Sequence, residues 1–129
     1  MLLVDTSVWI EVFRKGSPLS LEDSVAIDEV VTCLPIVQEV LQGFRDELAF
    51  RRAREAMLAF PCLESPLSLG VFEEAAELFR TARRAGLTIR SSTDCLIAAT
   101  AIRHGIPVLH RDRDYSSLAT VSSLKQMRV

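Results

Sequence analysis

Four apolar residues, Met1-Leu2-Leu3-Val4, run without interruption into Asp5, a pattern that predicts a short strand buried on both faces and central to a parallel sheet. Thr6 or Ser7 is placed to cap a helix carrying Val8, Trp9, Ile10, Val12 and Phe13, which Lys15-Gly16-Ser17-Pro18 would stop. Leu19 to Glu29 is mixed in polarity and only weakly helical. Val30 to Leu34 is apolar and β-branched, and reads as a second strand or in part as a loop. Pro35 suits the first turn of a helix with Ile36, Val37, Val40 and Leu41 on one face, and Gly43 either relieves crowding or ends it. Asp46 to Ala59 has no breaker and predicts another helix, followed by a minor strand at Pro61-Cys62-Leu63. Between Ser68 and Ala85 an apolar stripe of Val71, Phe72, Ala75, Ala76, Leu78, Phe79 and Ala82 marks the clearest helix, with Gly86 as its stop. Ser91-Ser92-Thr93 offers caps for a helix starting at Asp94 that is apolar nearly all round and closes at His104-Gly105. Pro107 to His110 predicts a strand, Arg111 to Asp114 a charged loop, Tyr115 to Leu118 one helical turn, and Ala119-Thr120-Val121 a last strand.

Strands alternating with helices predict an α/β, three-layer domain with a mostly parallel central sheet flanked by helices. At 129 residues the chain is expected to form one domain, 1–129, with its own core. Composition changes this picture little. With 49% hydrophobic and 25% charged residues it falls among soluble globular chains, outside disordered and fibrous classes. The opening becomes acidic too soon for a signal peptide and no run has the length to cross a bilayer, so a cytoplasmic, non-membrane protein is expected. Cys33, Cys62 and Cys95 lack disulfide or zinc spacing and read as small core residues. The net charge of −2 argues against nonspecific nucleic-acid binding, although thirteen of the fifteen basic residues are Arg, the better phosphate ligand.

The candidate chemistry lies in acids. Asp5 closes the first strand, Glu39 lies early on a helix, Asp94 begins the most apolar helix, and Asp112 follows the Val108-Leu109 strand with Asp114 two residues on. Such positions converge on the carboxyl edge of a parallel sheet. Carboxylates gathered there repel unless protons or a hard cation compensate them, and oxygen-only ligands favour magnesium or manganese. Each acid alone has an ordinary alternative: Asp94 as a dipole partner, Glu39 as a solvent-facing side chain, Asp112 and Asp114 as turn acids. Spacing alone does not bring them together.

Leu3-Val4-Asp5-Thr6-Ser7-Val8-Trp9-Ile10, Pro35 to Gly43 around Glu39, Asp94-Cys95-Leu96-Ile97-Ala98-Ala99-Thr100-Ala101, and Leu109 to Tyr115 around Asp112 stand in an order that resembles the PIN-domain family. More narrowly they resemble the VapC-type toxins of type II toxin–antitoxin pairs, over Met1 to about Val121. The resemblance implies that Asp5, Glu39, Asp94 and Asp112 form one catalytic pocket binding Mg2+, which Mn2+ can replace. Thr6 would be a supporting hydroxyl and Tyr115 the closing aromatic, while Asp114 is left as an outer member or a second-metal residue. It further implies a metal-dependent endoribonuclease that acts on RNA through metal-activated water. The implied partners are a VapB-like antitoxin and a second copy of the chain in a homodimer. The alternatives are an RNA-processing nuclease outside a toxin–antitoxin pair and a non-cleaving RNA-binding domain. His110 is expected to be structural and Trp9 to pack in the core or against a partner. Arg111 and Arg113 either meet RNA phosphates or balance nearby acids, and Arg45, Arg51, Arg52 and Arg54 form a basic patch or a solvated face. Trp9, Phe13, Phe44 and Phe50 are candidates to line the groove for an antitoxin.

Overall fold

The structure, a computed structural model, describes residues 1–14, 21 and 25–129. The helix stop expected at 15–18 and residues 19, 20 and 22–24 of the weakly helical segment 19–29 lie outside these residues, and its end forms a short 3-10 turn at Ile27–Glu29. Strand β1 (Leu2–Val4) is buried at every position and pairs in parallel on both edges, with β2 (Val30–Cys33) on one side and β4 (Val108–His110) on the other. Burial on both faces is why its apolar run does not alternate. Beyond β2 lies β3 (Cys62–Leu63) and beyond β4 lies β5 (Gln126–Arg128), giving an all-parallel sheet in the order β3-β2-β1-β4-β5. The apolar run and the parallel, central placement of β1 are thus as expected.

Parallel neighbours need crossovers, and helices provide them. Helix α1 (Thr6–Phe13) follows β1; α2 (Leu34–Gln42) and α3 (Glu47–Leu58) lie between β2 and β3. Helices α4 (Leu69–Arg84) and α5 (Ser92–His104) lie between β3 and β4, and α6 (Arg113–Ala119) leads to β5. Pro35 sits in the first turn of α2, and Asp46 and Ser68 cap α3 and α4 through their side chains. Helix α5 buries Asp94, Cys95 and the run Ile97 to Ala101, whose small residues allow close packing against α4. Gly105 ends it with φ +64, a left-handed conformation that closes the last turn without a Cβ clash. Leu3, Val4, Val8, Ile36, Ile97 and Val108 have no exposed surface. Full burial of such side chains contributes about 1.5–3 kcal/mol each, which fixes the sheet ends that carry the acids.

Four local expectations need correction. Asp5, not Thr6 or Ser7, caps α1, because its carboxylate accepts from the Ser7 amide in the first turn. The supposed charged loop is helical from Arg113 onward, since Asp112 caps α6. Ala119 ends that helix, so there is no strand at 119–121; the last strand is the edge segment Gln126–Arg128. Cys33 and Cys95 are buried as expected, but Cys62 is exposed on an edge strand.

Candidate metal centre and its carboxylates

The register that pairs Val4 with Leu109 places Asp5 just past the end of β1, where its amide bonds the Leu109 carbonyl at 2.9 Å. Asp5 is 3% exposed. One carboxylate oxygen, Oδ2, accepts from the Ser7 amide at 2.9 Å and the Ser7 hydroxyl at 2.6 Å; the other, Oδ1, accepts from the Tyr115 hydroxyl at 2.6 Å. The Ser7 hydroxyl oxygen in turn accepts from the Arg111 amide at 2.9 Å, tying the start of α1 to the segment after β4.

Asp94, in the first turn of α5, lies 3.4 Å from the same Tyr115 hydroxyl through Oδ1, while its Oδ2 is buried without a hydrogen-bond partner. Asp112 Oδ1 accepts from the Asp114 amide at 2.9 Å and from Arg90 Nη2 at 3.1 Å. Asp114 is 1% exposed; its Oδ2 accepts from the Arg90 amide at 3.0 Å, and its Oδ1 is buried without a hydrogen-bond partner. Asp94, Asp112 and Asp114 each present an oxygen within 4.8 Å of the others. Burial, reinforced by the charges of Asp5, Asp112 and Asp114, pushes the Asp94 carboxyl up to about 8. Burial also raises the Tyr115 hydroxyl well above its usual range, so it remains a proton donor to Asp5.

Glu39 stands apart from this trio. Its Oε1 accepts from the Thr6 hydroxyl at 3.0 Å, and burial raises its carboxyl, opposed by that hydrogen bond and assisted by the charges of Asp5 and Asp112. It also lines a cavity of about 310 Å³ with Ile10, Phe13, Arg14, Val40, Gly43 and Phe44. Of the five acids singled out in the sequence, the structure therefore gathers Asp94, Asp112 and Asp114, links Asp5 to Asp94 through Tyr115, and sets Glu39 on the rim.

The neighbours resolve several open choices. His110 is fully buried: Nδ1 accepts from the Asp112 amide at 3.2 Å, leaving Nε2 to donate to Gln126 Oε1 at 2.6 Å. It orients the loop, as expected of a structural histidine. Trp9 is buried against Phe13 and Phe60, with ring centroids 5.9 and 5.3 Å away. The Arg111 guanidinium lies 3.6 Å from Glu11, away from the acid trio. Arg45, Arg51, Arg52 and Arg54 are exposed, and Arg51 pairs with Glu47 along the helix, which fits a solvated face. Arg90 and the Ser7 hydroxyl escaped the sequence reading as site residues. For Ser7, the Asp-x-Ser spacing at a strand-to-helix junction was the available signal; Arg90 carried none.

The sequence matches the family described as PIN domain over residues 2–121. The chain belongs to the PIN-domain family. VapC ribonuclease Mb1587 of Mycobacterium bovis and ribonuclease VapC11 of Mycobacterium tuberculosis are each 39% identical over 130 residues, covering 97% of this chain and 96% of theirs. Within the PIN-domain family the chain is therefore of the VapC type. The fold also resembles VapBC-5 of M. tuberculosis, a member of the VapBC toxin–antitoxin family (TM-score 0.73, 22% identity, 98% of this chain and 97% of that one). FitAcB from Neisseria gonorrhoeae is similar (TM-score 0.71, 23% identity, 98% and 96% coverage). Among the described residues no helix is long and apolar enough to cross a membrane.

Proposed function

We propose that this PIN-domain chain is a magnesium-dependent endoribonuclease, the toxin of a toxin–antitoxin pair, with its metal held by Asp94, Asp112 and Asp114 and with Asp5 alongside. The observation that carries the reading is the pair of buried, unpartnered oxygens, Asp94 Oδ2 and Asp114 Oδ1, within a cluster of three carboxylates. A buried carboxylate oxygen without a donor is costly, and a cation removes that cost for both at once. An all-oxygen donor set fits a hard divalent ion, so magnesium is the natural occupant and manganese its substitute. When bound, such an ion supplies Lewis-acid charge that acidifies water and offsets charge on a phosphodiester.

The chain's own part is placement. Ser7 and Tyr115 hold both oxygens of Asp5, so its carboxylate cannot rotate away from Asp94. Thr6 aims Glu39 from α2 toward the same edge, where it serves as the fourth catalytic acid with Asp112. RNA is taken as substrate from the ribonuclease relatives. The partner reading, a VapB-like antitoxin on a homodimeric toxin in the cytoplasm, draws on the VapBC and FitAcB neighbours. It is supported by the 310 Å³ cavity, where apolar Ile10, Phe13 and Phe44 lead to Glu39, a combination suited to an apolar segment bearing an arginine. Phe50 and the buried Trp9 are not among its lining residues.

The test uses chain purified free of any partner and a single-stranded RNA substrate. Cleavage is expected with Mg2+, to stop with chelator, and to be lost in Asp5→Asn and Asp94→Asn. Cleavage that survives both substitutions would overturn the site, and cleavage of DNA in preference to RNA would overturn the substrate.

A further inference from the structure

Arg90 lies in the short connection before α5, outside every motif that carried the resemblance, yet it touches two of the three clustered acids. Its backbone amide donates to Asp114 Oδ2 at 3.0 Å. Its guanidinium donates from Nη2 to Asp112 Oδ1 at 3.1 Å, and its Nε stands 3.7 Å from Asp114 Oδ1, too far for a hydrogen bond. Among the described residues it is the one basic side chain ion-paired with the trio. The side chain is 54% exposed, whereas the Asp114 side chain is 2% exposed. A half-exposed guanidinium thus leans on one partly buried and one fully buried carboxylate.

A divalent ion at the trio and the Arg90 guanidinium would compete for the same two carboxylates, those of Asp112 and Asp114. Two cations on one carboxylate repel, and the guanidinium is the one free to leave, because its side chain is half exposed while its backbone amide stays bonded to Asp114. Released, it remains tethered by Ile89, which is buried, at the edge of a centre where a phosphate must sit. Guanidinium is well matched to phosphate oxygens through its planar donor fork. Asp112 therefore offers Arg90 a resting partner of the same chemical kind as the anion it would bind during turnover.

We propose that Arg90 is an exchangeable counter-cation: it neutralises Asp112 and Asp114 before metal arrives, is displaced by the divalent ion, and then holds a phosphate of the RNA substrate. The inference rests on the metal-dependent ribonuclease reading above. It assigns Arg90 to substrate positioning and not to the metal shell.

Arg90→Gln keeps the backbone bond to Asp114 and removes only the charge; Arg90→Lys keeps the charge without the planar fork. Mn2+ titration calorimetry on the metal-free full chain is the first measurement. Arg90→Gln is expected to bind Mn2+ several-fold more tightly than wild type, and Arg90→Lys to fall between. Steady-state cleavage of a short single-stranded RNA is the second, with KM expected to rise roughly tenfold in Arg90→Gln while kcat changes little, since one lost phosphate contact weakens binding without touching the metal. The dependence of RNA affinity on salt should flatten by about one unit of log–log slope. Unchanged or weaker Mn2+ binding in Arg90→Gln overturns the counter-cation role, and an unchanged KM overturns the phosphate role. A wild-type chain that binds no Mn2+ and cleaves no RNA overturns the functional reading as well. A wild type that does both while Arg90→Gln matches it overturns this inference alone.

Discussion

The two ends of α5 use the same ingredients to opposite effect. At its carboxyl end Arg103 lies 3.5 Å from Glu64, 3.7 Å from Glu74 and 3.3 Å from the Ser68 hydroxyl, while His104 Nε2 meets Glu64 at 2.9 Å. Both acids there face Arg103, Glu64 also bonds the His104 ring, and a cation at a helix C-terminus is favoured by the backbone dipole. At its amino end Asp94, Asp112 and Asp114 crowd together with one arginine between them, and two buried oxygens have no donor. A closed ion network has nothing to gain from a ligand. The open one does, and the difference lies in the third acid, in burial and in which oxygens lack donors.

The sharpest way to break this comparison is to remove an acid from the open end. Asp94→Asn should lower RNA cleavage about 100- to 1000-fold, in line with loss of a key electrostatic group, while leaving the metal-free protein at least as heat-stable as wild type. A protein that melts much earlier would place Asp94 with the structural acids. Next in size is Tyr115→Phe, which takes the donor from Asp5 and lets it drift relative to Asp94. Metal affinity, followed by calorimetry, is expected to fall roughly 10- to 100-fold, the usual effect of losing a group that orients a ligand.

The ends should also differ in their response to pH. With its carboxyl at about 8 in the folded protein against an ordinary value of 3.8, Asp94 keeps its proton longer when folded than when unfolded. Its contribution to stability is thus fully present below about pH 4 and is lost progressively as pH rises toward 8. Melts of the metal-free chain across this range should show that decline, and saturating Mg2+ or Asp94→Asn should flatten it. The smallest change is expected at the closed end. Arg103→Ala should cost about 1 kcal/mol, read from the urea midpoint, because part-exposed ion pairs contribute little, and cleavage should persist.

How much of this was legible in the sequence depended on burial. The apolar run ending in Asp5 announced β1 because a central parallel strand must be apolar on both faces. Helix α5 was visible for a similar reason, since nearly every position between Asp94 and Ile102 is apolar or small. By contrast, Arg111-Asp112-Arg113-Asp114 has no apolar period, so of the helix there only the turn at Tyr115 to Leu118 was visible, and its start, with the burial of Asp114 that places it beside Asp94, was hidden. Strand β5 is largely exposed and carries Gln126-Met127-Arg128, a mixed triplet that gives no strand signal; it pairs with the edge of β4. Arg90 was illegible because its role comes from the fold bringing it to residues 22 and 24 positions away. The family resemblance supplied what periodicity lacked, the convergence of the acids, but it did not distinguish the trio from Glu39 on the rim.

The hydrogen bond from Tyr115 to Asp5 spans 110 residues, and that from Arg111 to Ser7 spans 104. The carboxylate corner therefore cannot be assembled from any incomplete stretch of chain that stops before α6. During synthesis Asp5 has to wait for the chain to reach Tyr115 before its partners exist. A product truncated midway, whatever helices it forms, lacks this carboxylate corner altogether.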